Sequence, residues 1–389
     1  MNKALREMTP FLVMDVLEKA QALEARGVDV VHLEIGEPDS PVHPFVVDAV
    51  KAAYDEQRTH YTDSFGDPEL RAAICRLYRA EYGVQVTPDR VLVTSGSSPA
   101  LLLALQVLCD VGDEVLVSNP GYPCYRDFAL ACHAAPKEIP VTAENGFQFD
   151  PDDVAAAITP LSRAIFVNSP MNPAGTIASP ESLREIVQIA AAHGVTVLSD
   201  EIYHGLTYGG GKTHSILEFT DDAFVFNGFS KRFAMTGLRL GYVIAPKKHL
   251  KALRILQQNL FICAGSIAQR AGLAALNLLL GEDARSRAFQ RDQAAKCAEY
   301  DARRRFTLAR LADLGFEVKV EPEGAFYVFA DARRYTQDSL KFAFDVLKRA
   351  HVGITPGTDF GSRGQGFIRI SYATSIPRLR EAFNRIAEF

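Results

Sequence analysis

Between about residues 90 and 245 the chain alternates short apolar runs with longer amphipathic segments. Val91–Val93, Val115–Val117, Ala164–Val167, Val195–Leu198, Ala223–Phe226 and Leu240–Ile244 read as buried strands. Ala100–Leu108, Pro123–Ala131, Pro180–His193 and Lys247–Leu260 carry helical spacing and separate many of them. This alternation predicts an α/β fold with a mostly parallel central sheet and helices on both faces. In such sheets ligands bind at the carboxyl ends of the strands.

The flanks follow other patterns. Residues 10–26 have helical periodicity that stops at Gly27, and Val28–Ile35 is a strand-like run ending in Gly36-Glu37-Pro38-Asp39. His43–Tyr54 is helical. Asp67 and Pro68 signal the start of a helix that carries the amphipathic stretch Leu70–Tyr82. Two long helical stretches cover Ile267–Leu280 and Arg285–Leu314. Beyond them Phe316–Val320, Phe326–Phe329 and Phe367–Ser371 read as strands, and Ser339–Ala350 and Pro377–Phe389 as helices. The change predicts a large domain over residues 46–290 and a smaller α+β domain built from residues 1–45 and 291–389.

Composition narrows the function. The 389 residues are 48% hydrophobic and carry a net charge of −5, enough apolar material for a large core and no basic surplus for nucleic acid. No apolar run approaches the length of a membrane span. The N-terminus, MNKALREMTPF, lacks the apolar core of a signal peptide, so a cytoplasmic protein is expected. Cys75, Cys109, Cys124, Cys132, Cys263 and Cys297 show no paired or metal-binding spacing, and no metal is expected.

The stretch Asn227–Gly241, NGFSKRFAMTGLRLG, carries the strongest chemical signal. Lys231 follows a buried strand, where desolvation or a neighbouring cation lowers an amine pKa and makes it nucleophilic towards aldehydes. Arg239 follows, with Gly237 and Gly241 permitting close approach of the backbone. A Schiff-base lysine with a phosphate-binding arginine is the pairing a pyridoxal phosphate enzyme needs. Ser95-Gly96-Ser97-Ser98-Pro99 opens a helix after a strand, where free amides and two hydroxyls favour a phosphate, although a ligand-free helix start reads the same way. Asp200, at the end of Val195–Leu198, needs a cationic partner, which a ring cation or an ordinary salt bridge would supply. Arg369, on a strand of the smaller domain, can grip a carboxylate through two hydrogen bonds.

In this order, SGSS, PGYP, NP, DEIY, SK and two arginines span residues 95–369. With LEIGEPD and HYT included, the chain resembles the class I aminotransferases, of the class I/II group, over nearly its whole length. That resemblance implies the fold type I architecture and pyridoxal 5'-phosphate as cofactor. It places Lys231 as the covalent anchor, Asp200 on the pyridinium nitrogen, and Asn172 and Tyr203 on the phenolic oxygen. Tyr122 matches the aromatic on the ring face, with Tyr125 a nearby rival. Ser97, Ser98, Ser230 and Arg239 are implied for the phosphate; Gly228 stands where some members carry a further phosphate-binding serine. Gly36 and Asn172 border the substrate, and Arg369 grips its α-carboxylate. Tyr61 is implied to reach the cofactor phosphate of the other subunit in a homodimer.

The expected reaction is amino transfer between an L-amino acid and a 2-oxo acid. A carbon–sulfur β-lyase of the same superfamily is the alternative, and a non-catalytic regulator a more distant one. Some similar aspartate aminotransferases bind the distal carboxylate with a lysine where this chain has Ser98. The N-terminal helix begins with the apolar Phe11-Leu12-Val13-Met14. Neutral amino acids are therefore expected as substrates, with glutamate still usable as a donor.

Overall fold

A computed structural model describes residues 6–389; the first five residues of the expected N-terminal contribution to the smaller domain lie outside it. The centre is a seven-stranded sheet. Its spatial order is Val91–Thr94, Gly241–Ile244, Ala223–Gly228, Thr196–Asp200, Ser162–Asn168, Glu114–Asn119 and Ala135–Pro140. Only Gly241–Ile244 runs antiparallel to its two neighbours; the other pairings are parallel. The expected mostly parallel sheet is therefore present.

Burial on both faces follows from the pleat, which sends successive side chains to opposite sides. Leu92, Val115, Val117, Phe166, Leu198, Phe224 and Phe226 pack with the helices Ser97–Leu108 and Leu250–Leu260. Their strand neighbours Val91, Val93, Leu116, Ile165, Val197 and Val225 pack on the opposite face with Pro68–Tyr82, Pro180–Ala192 and Ser266–Leu280. Two hydrophobic layers of this kind leave the strand ends as the place for polar chemistry.

A second, three-stranded antiparallel sheet joins Thr355–Pro356, Phe367–Ser371 and Tyr327–Asp331. The N-terminal strand is shorter than expected. Only Val31–His32 pairs, in parallel with Val352–Gly353. The expected strand Phe316–Val320 is reduced to one bridge, Glu317 to Asp331. The seventh sheet strand, Ala135–Pro140 (APKEIP), was not expected: it is the sheet's edge, and its two prolines and single buried residue give little strand signal. Helix Pro151–Ala157, seven residues long, also escaped the periodicity. Residues Lys247–His249 form a 3₁₀ turn ahead of the helix Leu250–Leu260. Asp67 does cap Pro68–Tyr82, accepting from the Glu69 amide at 2.8 Å.

Just beyond the Val31–His32 pairing, Glu34 is fully buried. His32 Nδ1 lies 2.6 Å from Glu34 Oε1, and Nε2 lies 3.2 Å from Glu24 Oε1. The bond to Glu34 raises the His32 pKa to about 9, against the opposing effect of burial. A raised imidazole pKa contributes stability that is complete below about 6.5 and is lost as pH rises through 9. Thermal unfolding should therefore occur at lower temperature at pH 9.5 than at pH 6.5. In His32→Gln that particular decline should be smaller; an identical pH dependence in the two proteins would refute the linkage.

Candidate active site

Five parallel strands end on one side of the large sheet and deliver residues there. Ser97 and Ser98 follow Val91–Thr94, Tyr122 follows Glu114–Asn119, and Asn172 follows Ser162–Asn168. Asp200 ends its strand, and Lys231 sits in the turn after Ala223–Gly228. Because Gly241–Ile244 runs the opposite way, Arg239, which precedes it, reaches the same edge. Together with Gly36 and Arg369 these side chains surround a cavity of about 240 Å³. Tyr203 and Ser230 line it as well. Tyr61 does not; it is 80% exposed on its own chain.

Electrostatics at the cavity floor are governed by desolvation. Burial lowers the Lys231 amine to about 8, aided by Arg369 and Arg239 and opposed by Glu37 and Asp200. Its Nζ donates to the Gly36 carbonyl at 2.6 Å. Burial pushes the Asp200 carboxyl upward, only partly offset by its hydrogen bonds and Lys231. Asp200 Oδ2 accepts from the Tyr125 hydroxyl at 2.6 Å, and Oδ1 accepts from the Ile202 amide at 3.1 Å. Among the described residues no arginine or lysine forms a salt bridge with it, so a cation arriving from the cavity would relieve its burial.

Tyr125, the rival to Tyr122, lines the same cavity. Its ring stacks on Phe166 with centroids 4.4 Å apart and meets Tyr122 edge-on at 5.2 Å. Asn168 clasps two loops together: its Oδ1 accepts from the Asn172 amide at 2.8 Å, and its Nδ2 donates to the Asp200 carbonyl at 3.1 Å.

At the other end, helix Ser97–Leu108 starts after Gly96 with no side-chain cap on its first amides. The Arg239 guanidinium packs over Gly96, where an added Cβ would lie 2.5 Å from Nη2. A Cβ on Gly241 would stand 2.6 Å from the Ser97 amide nitrogen, so glycine is required for that approach. Gly237 has open space around it and has no such role. Gly228 packs closely on the next strand: a Cβ there would lie 3.0 Å from the Leu240 carbonyl oxygen, which leaves little room for a side chain. Uncapped helix amides, two serine hydroxyls and an arginine suit a phosphate. A desolvated amine and a buried carboxylate without a counter-charge suit an aldehyde and a ring cation. The residues present fit pyridoxal phosphate.

Arg369 is only 3% exposed. Nη1 donates to Asn172 Oδ1 at 2.9 Å, and Nη2 donates to the Glu34 carbonyl at 2.6 Å and to the Thr355 hydroxyl at 3.2 Å. Its Nε has no partner among the described residues. Arg369 lines the cavity, and a guanidinium in that position is suited to an incoming carboxylate. Also lining the cavity are Phe11, Val13 and Met14, from the first turn of helix Leu12–Glu24 and the residue before it. That helix has no local side-chain cap; Asp359 supplies one, accepting from the Leu12 amide at 2.7 Å. The bond is made against the desolvation of Asp359, whose pKa rises to about 6.

Several lining residues were not expected from sequence: Ile35, Leu101, Asn168, Thr236 and above all Tyr327. Asn168 stands in the same NSPMNP turn as Asn172 and could have been found there. Tyr327 lies in the apolar run GAFYVF and reads as an ordinary core aromatic.

The family described as "Aminotransferase class I and II" matches residues 28–386. The (5-formylfuran-3-yl)methyl phosphate transaminase of Methanocaldococcus jannaschii is 41% identical, covering 100% of this chain and 99% of that protein. An aspartate aminotransferase of Pyrococcus horikoshii is 37% identical over 96% of this chain and 93% of its own. The structure of Thermus thermophilus aspartate aminotransferase with maleate superposes with a TM-score of 0.93 at 36% identity, covering 100% of this chain and 99% of that one. The chain belongs to the class I and II aminotransferases and is a pyridoxal phosphate-dependent enzyme of that family.

Proposed function

We propose that this aminotransferase moves an amino group between a neutral L-amino acid and a 2-oxo acid, with Lys231 as covalent anchor and proton carrier. The observation that carries the reading is Lys231, with its pKa lowered to about 8, and the Arg369 guanidinium lining one cavity. The cavity's place between the strand ends of the large sheet and Arg369 supports a division into residues 46–290 and residues 1–45 with 291–389. Bound there, pyridoxal phosphate supplies an aldehyde to capture the amino group and a protonated ring to draw electrons from the substrate α-carbon. Asp200 would keep the ring nitrogen protonated, and Asn172 and Tyr203 would donate to the phenolic oxygen. Tyr122 would cover the ring face, while Ser97, Ser98, Ser230 and Arg239 would hold the phosphate. Arg369 orients the α-carboxylate so that the α-hydrogen faces Lys231 Nζ, which takes that proton as a general base. Gly36 leaves room beside the substrate.

The relatives named above are a transaminase and two aminotransferases, which disfavours the β-lyase alternative. Lys231→Ala should bind the cofactor without a bond that borohydride can fix, and should lose amino transfer by several orders of magnitude. In the wild-type apoenzyme, covalent capture of the cofactor should accelerate as pH rises through about 8, where the amine loses its proton. Near-normal turnover in Lys231→Ala would refute the assignment.

Substrate choice rests on the wall formed by Phe11, Val13, Met14, Ile35 and Leu101. Among the described residues the cations lining the cavity are Lys231, Arg239 and Arg369, and all are engaged in the scheme above. A distal carboxylate would be desolvated against apolar side chains without a counter-charge, which is costly. Alanine, methionine or aromatic amino acids should therefore be preferred, with glutamate usable as donor. A kcat/KM for aspartate more than about tenfold above all of them, roughly 1.4 kcal/mol, would overturn this preference.

The same scheme assigns Tyr61 to the partner subunit's cofactor phosphate in a homodimer. Support comes from exposure: Tyr61, Leu260 and Ile262 all stand in solvent on the single chain. Gln258 and Gln269 bond the neighbouring Ser64 and Thr62, bringing those segments together. Hybrids of Lys231→Ala and Tyr61→Phe subunits should recover activity relative to either parent. A fully active monomer at low concentration would exclude shared sites.

A further inference from the structure

Tyr327 opens the strand Tyr327–Asp331 and is buried at the cavity wall. Register explains what it meets. Tyr327 pairs with Ser371, and Arg369 pairs with Phe329, so Tyr327 and Arg369 are diagonal neighbours on one face of the small sheet. The Arg369 guanidinium carbon lies 4.3 Å from the centre of the Tyr327 ring, within cation–π range. At its other end, the Tyr327 hydroxyl lies 2.9 Å from the Tyr203 hydroxyl, with the two rings edge-to-face at 5.7 Å. Gly36 closes the third side: a Cβ there would collide with the Tyr327 oxygen. The Gly36 carbonyl in turn accepts from Lys231. One side chain thus touches the expected carboxylate-binding and oxygen-binding groups, and packs against the segment that receives the lysine.

We propose that Tyr327 is a positioning residue whose ring seats Arg369 and whose hydroxyl orients Tyr203 towards the cofactor. The inference rests on the roles assigned to Arg369 and Tyr203 under the proposed function. Burial pushes both phenols upward, so both keep their protons at neutral pH. Two protonated hydroxyls sharing one hydrogen bond have one proton between them and one left over. When Tyr327 donates, the Tyr203 proton is the one left over and can point into the cavity. Arg369 lowers both phenols against the effect of burial, but it stands over the Tyr327 ring, 4.3 Å from its centre, and that contact favours Tyr327 as the donor. Phenylalanine at 327 would keep the seat for Arg369 and remove the donor. Leucine would remove both.

The test uses the holoenzyme and reads the pH titration of the bound cofactor's absorbance as well as kinetics. A donor to the phenolic oxygen stabilises its unprotonated form, so Tyr327→Phe should move the titration midpoint upward and lower kcat. KM, and the affinity for a 2-methyl amino acid that lacks the transferable hydrogen, should change less than about threefold. Tyr327→Leu should in addition weaken that affinity about tenfold or more. In a Tyr203→Phe background, Tyr327→Phe should produce no further shift of the midpoint, since the group it orients is gone. An unshifted midpoint in Tyr327→Phe, or a shift that adds in full to that of Tyr203→Phe, would overturn the inference. The double variant settles the question even where Tyr327→Leu does not fold. Failure of the functional reading would look different, because wild-type protein would then show no lysine-bound absorbance to titrate.

Discussion

Asp200 and Arg369 are held away from bulk water and Lys231 is half-buried beside the same cavity, while Arg239 stays exposed; the remaining features depend on that confinement. In water Lys231 would be a protonated surface amine and Asp200 an ordinary carboxylate. Enclosed between the strand ends and Arg369, the amine falls to about 8 and the carboxyl rises. Both shifts have desolvation as their largest cause, and Asp200 is left without a salt-bridged arginine or lysine among the described residues. A ligand bearing an aldehyde, a ring cation and a phosphate answers each deficit with its own group. Selectivity for such a ligand thus originates in burial as much as in the identity of the contacting residues.

Confinement requires that distant segments meet, and polar bonds across large sequence separations hold them. Arg369 ties Asn172 to Glu34 and Thr355, and Asp359 fixes the start of the helix that walls the cavity. The Phe11 ring meets Tyr122 edge-on at 6.3 Å, and Arg126 Nη1 donates to the Glu7 carbonyl at 3.0 Å. The N-terminal segment therefore bridges the large sheet and the Asp359 turn. Truncating one partner of such a buried bond leaves the other unsatisfied, which costs more than the bond itself contributes.

Behind Asp200 the next residue turns the other way. Glu201 is buried and accepts from Tyr78, Ser199, Ser215 and the Ile216 amide. Burial lifts its pKa to about 7 despite those four bonds. His204 is held neutral, its pKa lowered to about 3 by burial. With Nε2 donating to the Ser169 carbonyl, Nδ1 is left to accept from Tyr82. This network anchors the turn from Asp200 to Tyr203, so that the two side chains facing the cavity stand on a fixed base.

How far the sequence reaches depends on the range of the forces involved. Runs such as Val225-Phe226 and Ile165-Phe166 specify buried strands by themselves, because burying apolar surface on both faces depends only on local composition. That the SGSS turn, the strand-end carboxylate and the lysine turn share one cavity was legible for the same reason: each is a short motif attached to its own strand. Edge strand Ala135–Pro140 was not, since its pairing is decided by Glu114–Asn119 and not by its own weak pattern. Nor could sequence show that of Tyr122 and Tyr125, two aromatics three residues apart that both line the cavity, it is Tyr125 whose hydroxyl meets Asp200 and whose ring stacks on Phe166. Tyr327 and Asp359 carry no local signature at all. Their partners lie 124 and 347 residues away, and only tertiary structure brings a phenol to Tyr203 or a carboxylate to a helix start at that distance.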